Sequence, residues 1–419
     1  MLRIGGISAA ELAKRYGTPL YVMDEDIIRE NCRAFKRSID EYYDGRGKVV
    51  FASKAFNCLE ICRIVASEGL GVDVASIGEL YTAVKAPIDA RTVYFHGNNK
   101  TVEELTYAVN VEVGCVVIDN VWELRNLSQI AARQSKTMEV MFRIKPGIDA
   151  HTHDYVLTGN NDSKFGFSID TGEAIDVINE AKSLPGVAIR GIHCHIGSQI
   201  FDVDPFEYAG EVMFDLLAEI RKKTGISIKE LNLGGGFGIR YTDEDTPTNF
   251  GNYMKSVSEM LKKKAAEHNT ELPYIVIEPG RSIVGAAGTT LYTVGAVKEI
   301  PGVRTYVITD GGMTDNPRYA LYKAKYEMQI ANKSDAPKDT VVTVAGKTCE
   351  SGDLLGEGIE LQKPEYGDIL AVSCTGAYNY SMASNYNRLP RPAVVMVSGG
   401  ESRVVVKREL VEDLIRNDI

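Results

Sequence analysis

The chain has 419 residues, which is long enough for two domains. Hydrophobic residues make up 44% of it and charged residues 25%, an ordinary balance for a globular protein. The formal net charge of -10 argues against nucleic acid or an anionic membrane as a partner, and no apolar stretch is long enough to indicate a membrane span. Seven cysteines without a Cys-x-x-Cys pair, and a start without a signal-peptide core, predict a cytoplasmic protein with reduced thiols.

The first part of the chain is dominated by a repeating pattern. A short helix is predicted at residues 8–16 and a strand at residues 20–23. Apolar runs then recur eight times, at residues 49–51, 71–74, 92–95, 115–118, 140–144, 189–196, 230–233 and 274–277. Between them a capping side chain is followed three residues later by glutamate, at positions 57/60, 76/79, 101/104, 120/123, 170/173 and 204/207. Strand and capped helix in this alternation predict an α/β fold of the (β/α)8 barrel type.

The pattern changes after residue 281. Runs rich in β-branched residues follow at 289–297, 304–309, 325–330, 340–344, 368–374 and 393–406, without predicted helices between them. They predict an antiparallel β domain, closed by a short amphipathic helix at 410–415. The strand at 20–23 has no place in the barrel repeat and is expected to join this domain. We therefore predict a barrel over residues 25–281 and a β domain from residues 1–24 and 282–419.

A lysine stands where the first barrel strand is expected to end. Lys54 follows the apolar run at 49–51 directly, and an ammonium there is costly unless it has a partner or a chemical role. One interpretation is a lysine that reaches out to solvent at a strand end. The other is a desolvated amine that forms a Schiff base, because burial lowers the pKa of a lysine.

Further polar residues follow the later barrel strands, at the face where such barrels carry their active sites. Strand six carries His193 and His195, a Gly234-Gly235-Gly236 cluster follows strand seven, and Glu278 follows strand eight. Taken alone, the glycine cluster favours a tight turn over an anion site. Together with Lys54, these residues describe a pyridoxal phosphate site. Lys54 would form the Schiff base, His195 would stack on the ring, the glycines would hold the phosphate, and Glu278 would keep the pyridine nitrogen protonated.

Four motifs resemble those of the fold type III pyridoxal phosphate decarboxylases. They are Phe-Ala-Ser-Lys-Ala at 51–55, His-Cys-His-Ile-Gly-Ser at 193–198, Gly-Gly-Gly-Phe-Gly at 234–238 and Glu-Pro-Gly-Arg at 278–281. Segments 145–147 with 164–167, 349–353, and 376–378 through 384–387 are similar to the diaminopimelate decarboxylase family within that group. This resemblance covers essentially the whole chain. It implies pyridoxal 5'-phosphate as cofactor, a head-to-tail homodimer, and decarboxylation of meso-2,6-diaminopimelate to L-lysine and CO2, the last step of lysine biosynthesis.

The resemblance also implies roles for individual residues. Asp73 would lie near Lys54 and His195, Ser198 and Tyr378 would bind the phosphate, and Cys349 would donate the proton after CO2 leaves. The far end of the substrate would be held by Arg281, Arg318, Tyr322, Glu350 and Tyr378. Two guanidinium groups suit the distal carboxylate of diaminopimelate and Glu350 suits its ammonium group. The loop with Cys349 and Glu350 would complete the active site of the partner subunit.

Three alternatives remain open at this point. A barrel metallohydrolase would use His151, His153, His193 and His195 as ligands, although we expect no metal. A protein that binds the cofactor without turnover would be expected to lack Lys54 or Cys349, and both are present. The third is a decarboxylase of another basic amino acid, of the ornithine, lysine, arginine or carboxynorspermidine type.

Overall fold

The computed structural model of the protein describes residues 1–148 and 163–419. The chain forms two compact units. One consists of residues 31–238 and 246–282, and the other of residues 1–30, 239–245 and 283–419. Within the described ranges, no helix combines the length and the apolar character that crossing a bilayer requires.

The first unit is a closed barrel of eight parallel strands. The strands are Gly47–Ala52, Gly71–Val74, Val93–Phe95, Cys115–Ile118, Met138–Lys145, Val187–His193, Glu230–Asn232 and Tyr274–Ile277. Each pairs in parallel with the next, and the eighth pairs with the first, where Ile275 lies opposite Gly47. Every one overlaps an apolar run predicted from the sequence, so the (β/α)8 barrel is confirmed. A short extra strand, Phe167–Ser168, pairs with the end of the fifth barrel strand.

The helices between the strands begin with fewer reciprocal caps than the sequence predicts. The helices are Leu59–Ser67, Ile77–Lys85, Val102–Val111, Val121–Arg133, Glu173–Ala181, Asp204–Thr224 and Phe250–His268. Ser76, Thr101 and Asn120 each accept a hydrogen bond from the amide three residues on, but only Thr101 and Glu104 form the full reciprocal box. The Glu79 carboxylate instead accepts from the Ala75 amide, and so helps to close the end of the preceding strand.

The second unit is built on one mixed β-sheet. Its strands are Leu20–Asp24, Gly288–Ile300, Arg304–Thr309, Met328–Ile330, Thr340–Ala345, Leu354–Leu361, Ile369–Ser373, Ala393–Ser398 and Glu401–Val406. Most pairs are antiparallel, but Leu20–Asp24 runs parallel to Ala393–Ser398, and Arg304–Thr309 runs parallel to Thr340–Ala345. Leu20–Asp24 lies between two strands of this sheet, which confirms the expected contribution of the N-terminal segment.

Several elements of the second unit differ from the prediction. Strand Leu354–Leu361 was not predicted, because two glycines interrupt its apolar pattern. Short helices also occur, at Arg318–Tyr322 and Asn379–Met382. The C-terminal helix is a single 3-10 segment, Val411–Ile415, in which Val411 and Ile415 are exposed. Among the described residues, the other α-helices are Ala9–Tyr16, Glu25–Tyr42 and Arg281–Val284.

Candidate active site

Four barrel strands bring polar side chains together around Glu278. This residue directly follows the eighth strand, and both of its oxygens are hydrogen-bonded. Oε1 accepts from His96 Nε2 at 2.8 Å and from Asn232 Nδ2 at 2.7 Å, and Oε2 accepts from His193 Nε2 at 3.1 Å. His96 follows the third strand, and His193 and Asn232 end the sixth and seventh. All four side chains are buried.

The cluster keeps Glu278 negatively charged inside the barrel. Burial acts to raise the pKa of this carboxyl, but His96 and His193 outweigh burial and hold the pKa well below its usual range. Burial also disfavours the charged form of His96, yet Asp73 and Glu278 raise the pKa of its imidazole. Burial lowers the pKa of His193 to about 4. His193 is therefore a neutral donor, and its buried Nδ1 has no partner in the described chain.

Lys54 and Asp73 lie beside this cluster. Asp73 belongs to the second strand, and its Oδ1 is 4.0 Å from His96 Nε2. Burial raises the pKa of Asp73 to about 7, although the positive charges of His96 and Lys54 act against the rise. Lys54 lies in the turn Ser53–Ala55 after the first strand, and its side chain is exposed in the single chain. In the single chain Lys54 is therefore not desolvated, and the Schiff-base role of this lysine stays a prediction.

His195 follows the sixth strand rather than belonging to it. That strand ends at His193, two residues short of the predicted position. Desolvation lowers the pKa of His195 well below its usual value, and the positive charges of Lys54 and Arg143 lower it further. Its Nδ1 accepts a long hydrogen bond of 3.4 Å from the Gly235 amide. His195 is thus a neutral ring at the end of the barrel that carries Lys54.

The Gly234-Gly235-Gly236 turn has no room for side chains. A Cβ on Gly234 would lie 2.4 Å from the backbone oxygen of Cys194, and one on Gly235 would lie 2.1 Å from the backbone oxygen of Glu278. Packing against the neighbouring strand ends therefore explains the glycines without any ligand. In the described part of the chain, however, the Gly236 amide donates to no acceptor, so the turn has a donor available for an anion. Ser198, which follows the sixth strand, accepts at its Oγ from Arg281 Nη2 at 2.8 Å.

A second set of predicted residues lies in the other unit, around Arg318. This arginine begins the helix Arg318–Tyr322 and is only 8% exposed. It donates to the hydroxyls of Tyr241 at 3.0 Å and Tyr326 at 3.2 Å, and it lies 5.6 Å from the centre of the Tyr378 ring. Among the described residues it has no carboxylate partner, and its buried Nε has no acceptor. Tyr322 lies at the end of the same helix.

Cys349 and Glu350 lie in an exposed loop of the same unit. The loop follows strand Thr340–Ala345, and both side chains are exposed in the single chain. Glu350 Oε1 accepts from the Gly352 amide at 3.1 Å, within the loop. The buried Asp353 fixes the loop, because it accepts from the Thr348 amide at 2.8 Å and the Met313 amide at 2.6 Å.

Comparison with known proteins shows the family. Residues 25–285 match the pyridoxal-dependent decarboxylase family over its pyridoxal binding domain. The diaminopimelate decarboxylase of Bacillus subtilis (strain 168) is 50% identical over 418 residues, which covers 100% of this chain and 95% of the relative. The chain belongs to the diaminopimelate decarboxylase family. Its Staphylococcus aureus (strain COL) member is 42% identical, with 100% of this chain and 97% of the relative covered.

Solved structures of the family agree with the whole chain. Diaminopimelate decarboxylase from M. jannaschii, solved in complex with L-lysine, superposes with a TM-score of 0.91 at 36% identity and covers 99% of this chain and 95% of that one. The Helicobacter pylori structure complexed with L-lysine gives a TM-score of 0.87 at 31% identity, with 97% and 98% covered. The protein is therefore a pyridoxal-dependent decarboxylase with pyridoxal phosphate as cofactor.

The barrel residues fit that cofactor. Lys54 offers an exposed amine, and the neutral His195 offers a ring face without an added positive charge. The Gly236 amide and the Ser198 hydroxyl offer donors for a phosphate. The ionised Glu278 suits a protonated pyridine nitrogen. These four features match the aldehyde, the ring, the phosphate and the ring nitrogen of pyridoxal phosphate.

Sequence reasoning missed two of the residues around Glu278. Neither His96 nor Asn232 was singled out from the sequence, yet each donates to Glu278 Oε1. Both stand at the end of a barrel strand, so a search for polar residues at all eight strand ends would have found them.

The histidines proposed as metal ligands do not form one group in the described chain. His151 and His153 lie outside the described residues. His193 instead lies with His96 and Glu278, whose ligand atoms are within 4.8 Å of one another. The hydrogen bonds among these three side chains account for their proximity.

Proposed function

We propose that the protein decarboxylates meso-2,6-diaminopimelate to L-lysine and CO2, the last step of lysine biosynthesis. The observation that carries the proposal is the full-length match to relatives named for this activity, at 50% identity. Arg318 supports the substrate assignment, because a buried guanidinium without a carboxylate partner in the described chain suits a substrate carboxylate. Ornithine and lysine carry no carboxylate at their distal end.

Each residue of the barrel has a role in this proposal. Lys54 would hold the cofactor through its amine, His195 would lie against its ring, and Ser198 with the glycine turn would bind its phosphate. When bound, the ring of the cofactor would accept the electron pair of the bond that breaks. Glu278 supports this withdrawal by holding a proton at the ring nitrogen, and His96, His193 and Asn232 keep Glu278 charged. Asp73 sets the field around Lys54 and His96.

The residues of the second unit act on the substrate. Arg318, together with Arg281, binds the distal carboxylate, and Tyr322 and Tyr378 border the same end. Glu350 binds the distal ammonium group. After CO2 leaves, the Cys349 S–H bond breaks as a C–H bond forms at the carbon that lost CO2, and solvent returns a proton to the thiolate. A positioned donor delivers this proton to that carbon inside the site, so the step does not depend on protonation by bulk water.

We further propose a homodimer in which each active site takes residues from both subunits. Residues 25–281 would bind the cofactor, while the domain of residues 1–24 and 282–419 would supply Cys349 and Glu350 to the partner subunit. The exposure of both side chains in the single chain supports this arrangement. All seven cysteines are free, which supports a cytoplasmic location, where thiols stay reduced.

The product assay tests the reaction directly. Purified protein incubated with pyridoxal phosphate and meso-diaminopimelate should release L-lysine and CO2 in equal amounts, and protein stripped of its cofactor should release neither. Lysine without CO2, or neither product, would contradict the proposal.

Borohydride reduction followed by peptide mapping tests the attachment site. The label is expected on Lys54 and not on Lys48, which lies on the first barrel strand and points its Nζ at the Tyr94 ring, 4.5 Å from its centre. Label on any other lysine would contradict the assignment.

A further inference from the structure

Two side chains accept hydrogen bonds from the main chain of the Cys349 loop. Asp353 lies at the far end of the loop, and Asn387 lies outside it. Asp353 Oδ2 accepts the Thr348 amide at 2.8 Å. The next amide, that of Cys349 itself, donates to Asn387 Oδ1 at 2.7 Å. Because the direction of a side chain follows from the backbone to which it is attached, the acceptor on Asn387 bears directly on where the thiol points.

Asn387 lies in a turn that does not need its side chain. The turn is Tyr386–Arg388, and its ends are tied to the C-terminal segment. Arg388 donates to the Leu414 oxygen at 2.7 Å and pairs with Asp418 at 3.0 Å. Asn385 Nδ2 donates to Glu409 at 2.6 Å. These bonds fix the turn without using the side chain of Asn387, whose Oδ1 remains available to the Cys349 loop.

The backbone conformation explains part of the choice of residue. Asn387 has φ 52° and ψ 23°, a left-handed conformation that glycine adopts freely and asparagine tolerates better than most other residues. Glycine would satisfy the backbone but would leave the Cys349 amide without its acceptor. Asparagine satisfies both, and the short bond to the Cys349 amide shows that the second property is used.

We propose that Asn387 is a positioning residue that orients Cys349 as the proton donor. It contacts neither substrate nor cofactor in the proposed mechanism and acts through the main chain of Cys349. Loss of its oxygen should leave substrate binding intact and slow the step that needs the thiol. The kinetic part of this inference rests on the proposed function, and the structural part does not.

The test compares three variants in the holoenzyme. Asn387→Gly keeps the left-handed backbone and removes only the acceptor, while Asn387→Asp keeps an acceptor oxygen. Asn385→Ala is the matched control, because it removes the bonds to Leu389 and Glu409 but leaves the Asn387 oxygen and both Arg388 bonds in place to hold the turn. Hydrogen exchange of the Cys349 amide should be at least about threefold faster in Asn387→Gly and unchanged in the other two.

Kinetics on diaminopimelate separate positioning from a general loss of structure. Asn387→Gly should lower kcat about tenfold with KM within about twofold of wild type, and Asn385→Ala should change neither. In a Cys349→Ala background the same Asn387→Gly change should have little further effect on kcat, because the group that it positions is absent.

Several results would overturn the inference. They are wild-type exchange at the Cys349 amide in Asn387→Gly, an equal loss of kcat with and without the Cys349 thiol, or failure of Asn387→Gly to fold. If the wild-type enzyme does not decarboxylate diaminopimelate, the proposed function fails, and the exchange measurement still decides whether Asn387 holds the loop.

Discussion

Glu278 remains ionised at a position where burial alone would favour its protonated form. Three donors on three other strands, His96, His193 and Asn232, supply the compensating interactions. A buried charge that is fully hydrogen-bonded is retained, whereas one that loses a partner becomes costly. At the scale of the residue, the barrel is therefore built to present one negative charge to a ligand.

Changing Glu278 to glutamine should weaken the electron-withdrawing environment. Glu278→Gln keeps the shape but removes the charge, so we expect kcat to fall at least about a hundredfold, or about 2.7 kcal/mol of transition-state stabilisation. Steady-state kinetics on diaminopimelate would measure the effect, with circular dichroism as the control for folding. A variant with near-normal kcat would show that the charge has no catalytic role.

Asp315 gives a prediction for stability rather than catalysis. It is buried, accepts from the Tyr292 hydroxyl and accepts from the Gly312 amide at 3.1 Å. Burial raises its pKa to about 7, although these hydrogen bonds favour the charged form. Between about pH 4 and pH 7 the folded protein therefore holds a proton that the unfolded chain has lost, and the stability from this group falls as pH rises.

Asp315→Asn removes that titration. The free energy of unfolding of the variant, relative to wild type, should increase from pH 5 to pH 8. Urea denaturation at the two pH values measures this difference. An equal difference at both would mean that Asp315 is already ionised at pH 5.

The glycine turn after the seventh strand shows how neighbouring elements restrict a sequence. Gly235 lies against the backbone oxygen of Glu278, and the turn also contacts the segment that carries His195. A change in the turn therefore displaces the residues that surround the cofactor site. At the scale of the element, the turn is a packing requirement that also leaves an amide available.

Gly235→Ala tests this dual role. Its Cβ would lie 2.1 Å from a backbone oxygen that cannot move without the strand, so we expect cofactor affinity to fall at least about tenfold and the melting temperature to drop. Gly78→Ala is the control, since its Cβ meets only the Ser76 hydroxyl at 3.8 Å in helix Ile77–Lys85. That variant should be neutral or slightly stabilising. Equal effects of the two changes would contradict the close contact at Gly235.

The sequence predicted elements better than their boundaries or their bonds. All eight barrel strands were found, because buried parallel strands appear as continuous apolar runs. The sixth was predicted to extend to residue 196 but ends at His193, since an apolar run does not show where strand pairing stops. His96 was missed for a related reason: a lone histidine carries no pattern, and its role depends on Glu278, which lies far from it along the chain.

At the scale of the whole molecule, the proposed reaction depends on two subunits sharing each site. Lys54→Ala and Cys349→Ala should each be nearly inactive alone. Mixed and allowed to exchange subunits, they should recover about one quarter of wild-type activity, because half of the dimers are mixed and each holds one intact site. Native mass spectrometry confirms the exchange. Exchange without recovery of activity would mean that Cys349 acts within its own subunit.

A comparison of substrates tests whether the enzyme is specific for diaminopimelate. The measurement is kcat/KM of the holoenzyme for meso-diaminopimelate, L-ornithine, L-lysine and L-arginine, with the release of CO2 as the signal. The buried Arg318, which has no carboxylate partner in the described chain, predicts a preference for diaminopimelate of at least about a hundredfold. Equal or faster turnover of any of the other three would contradict the assignment.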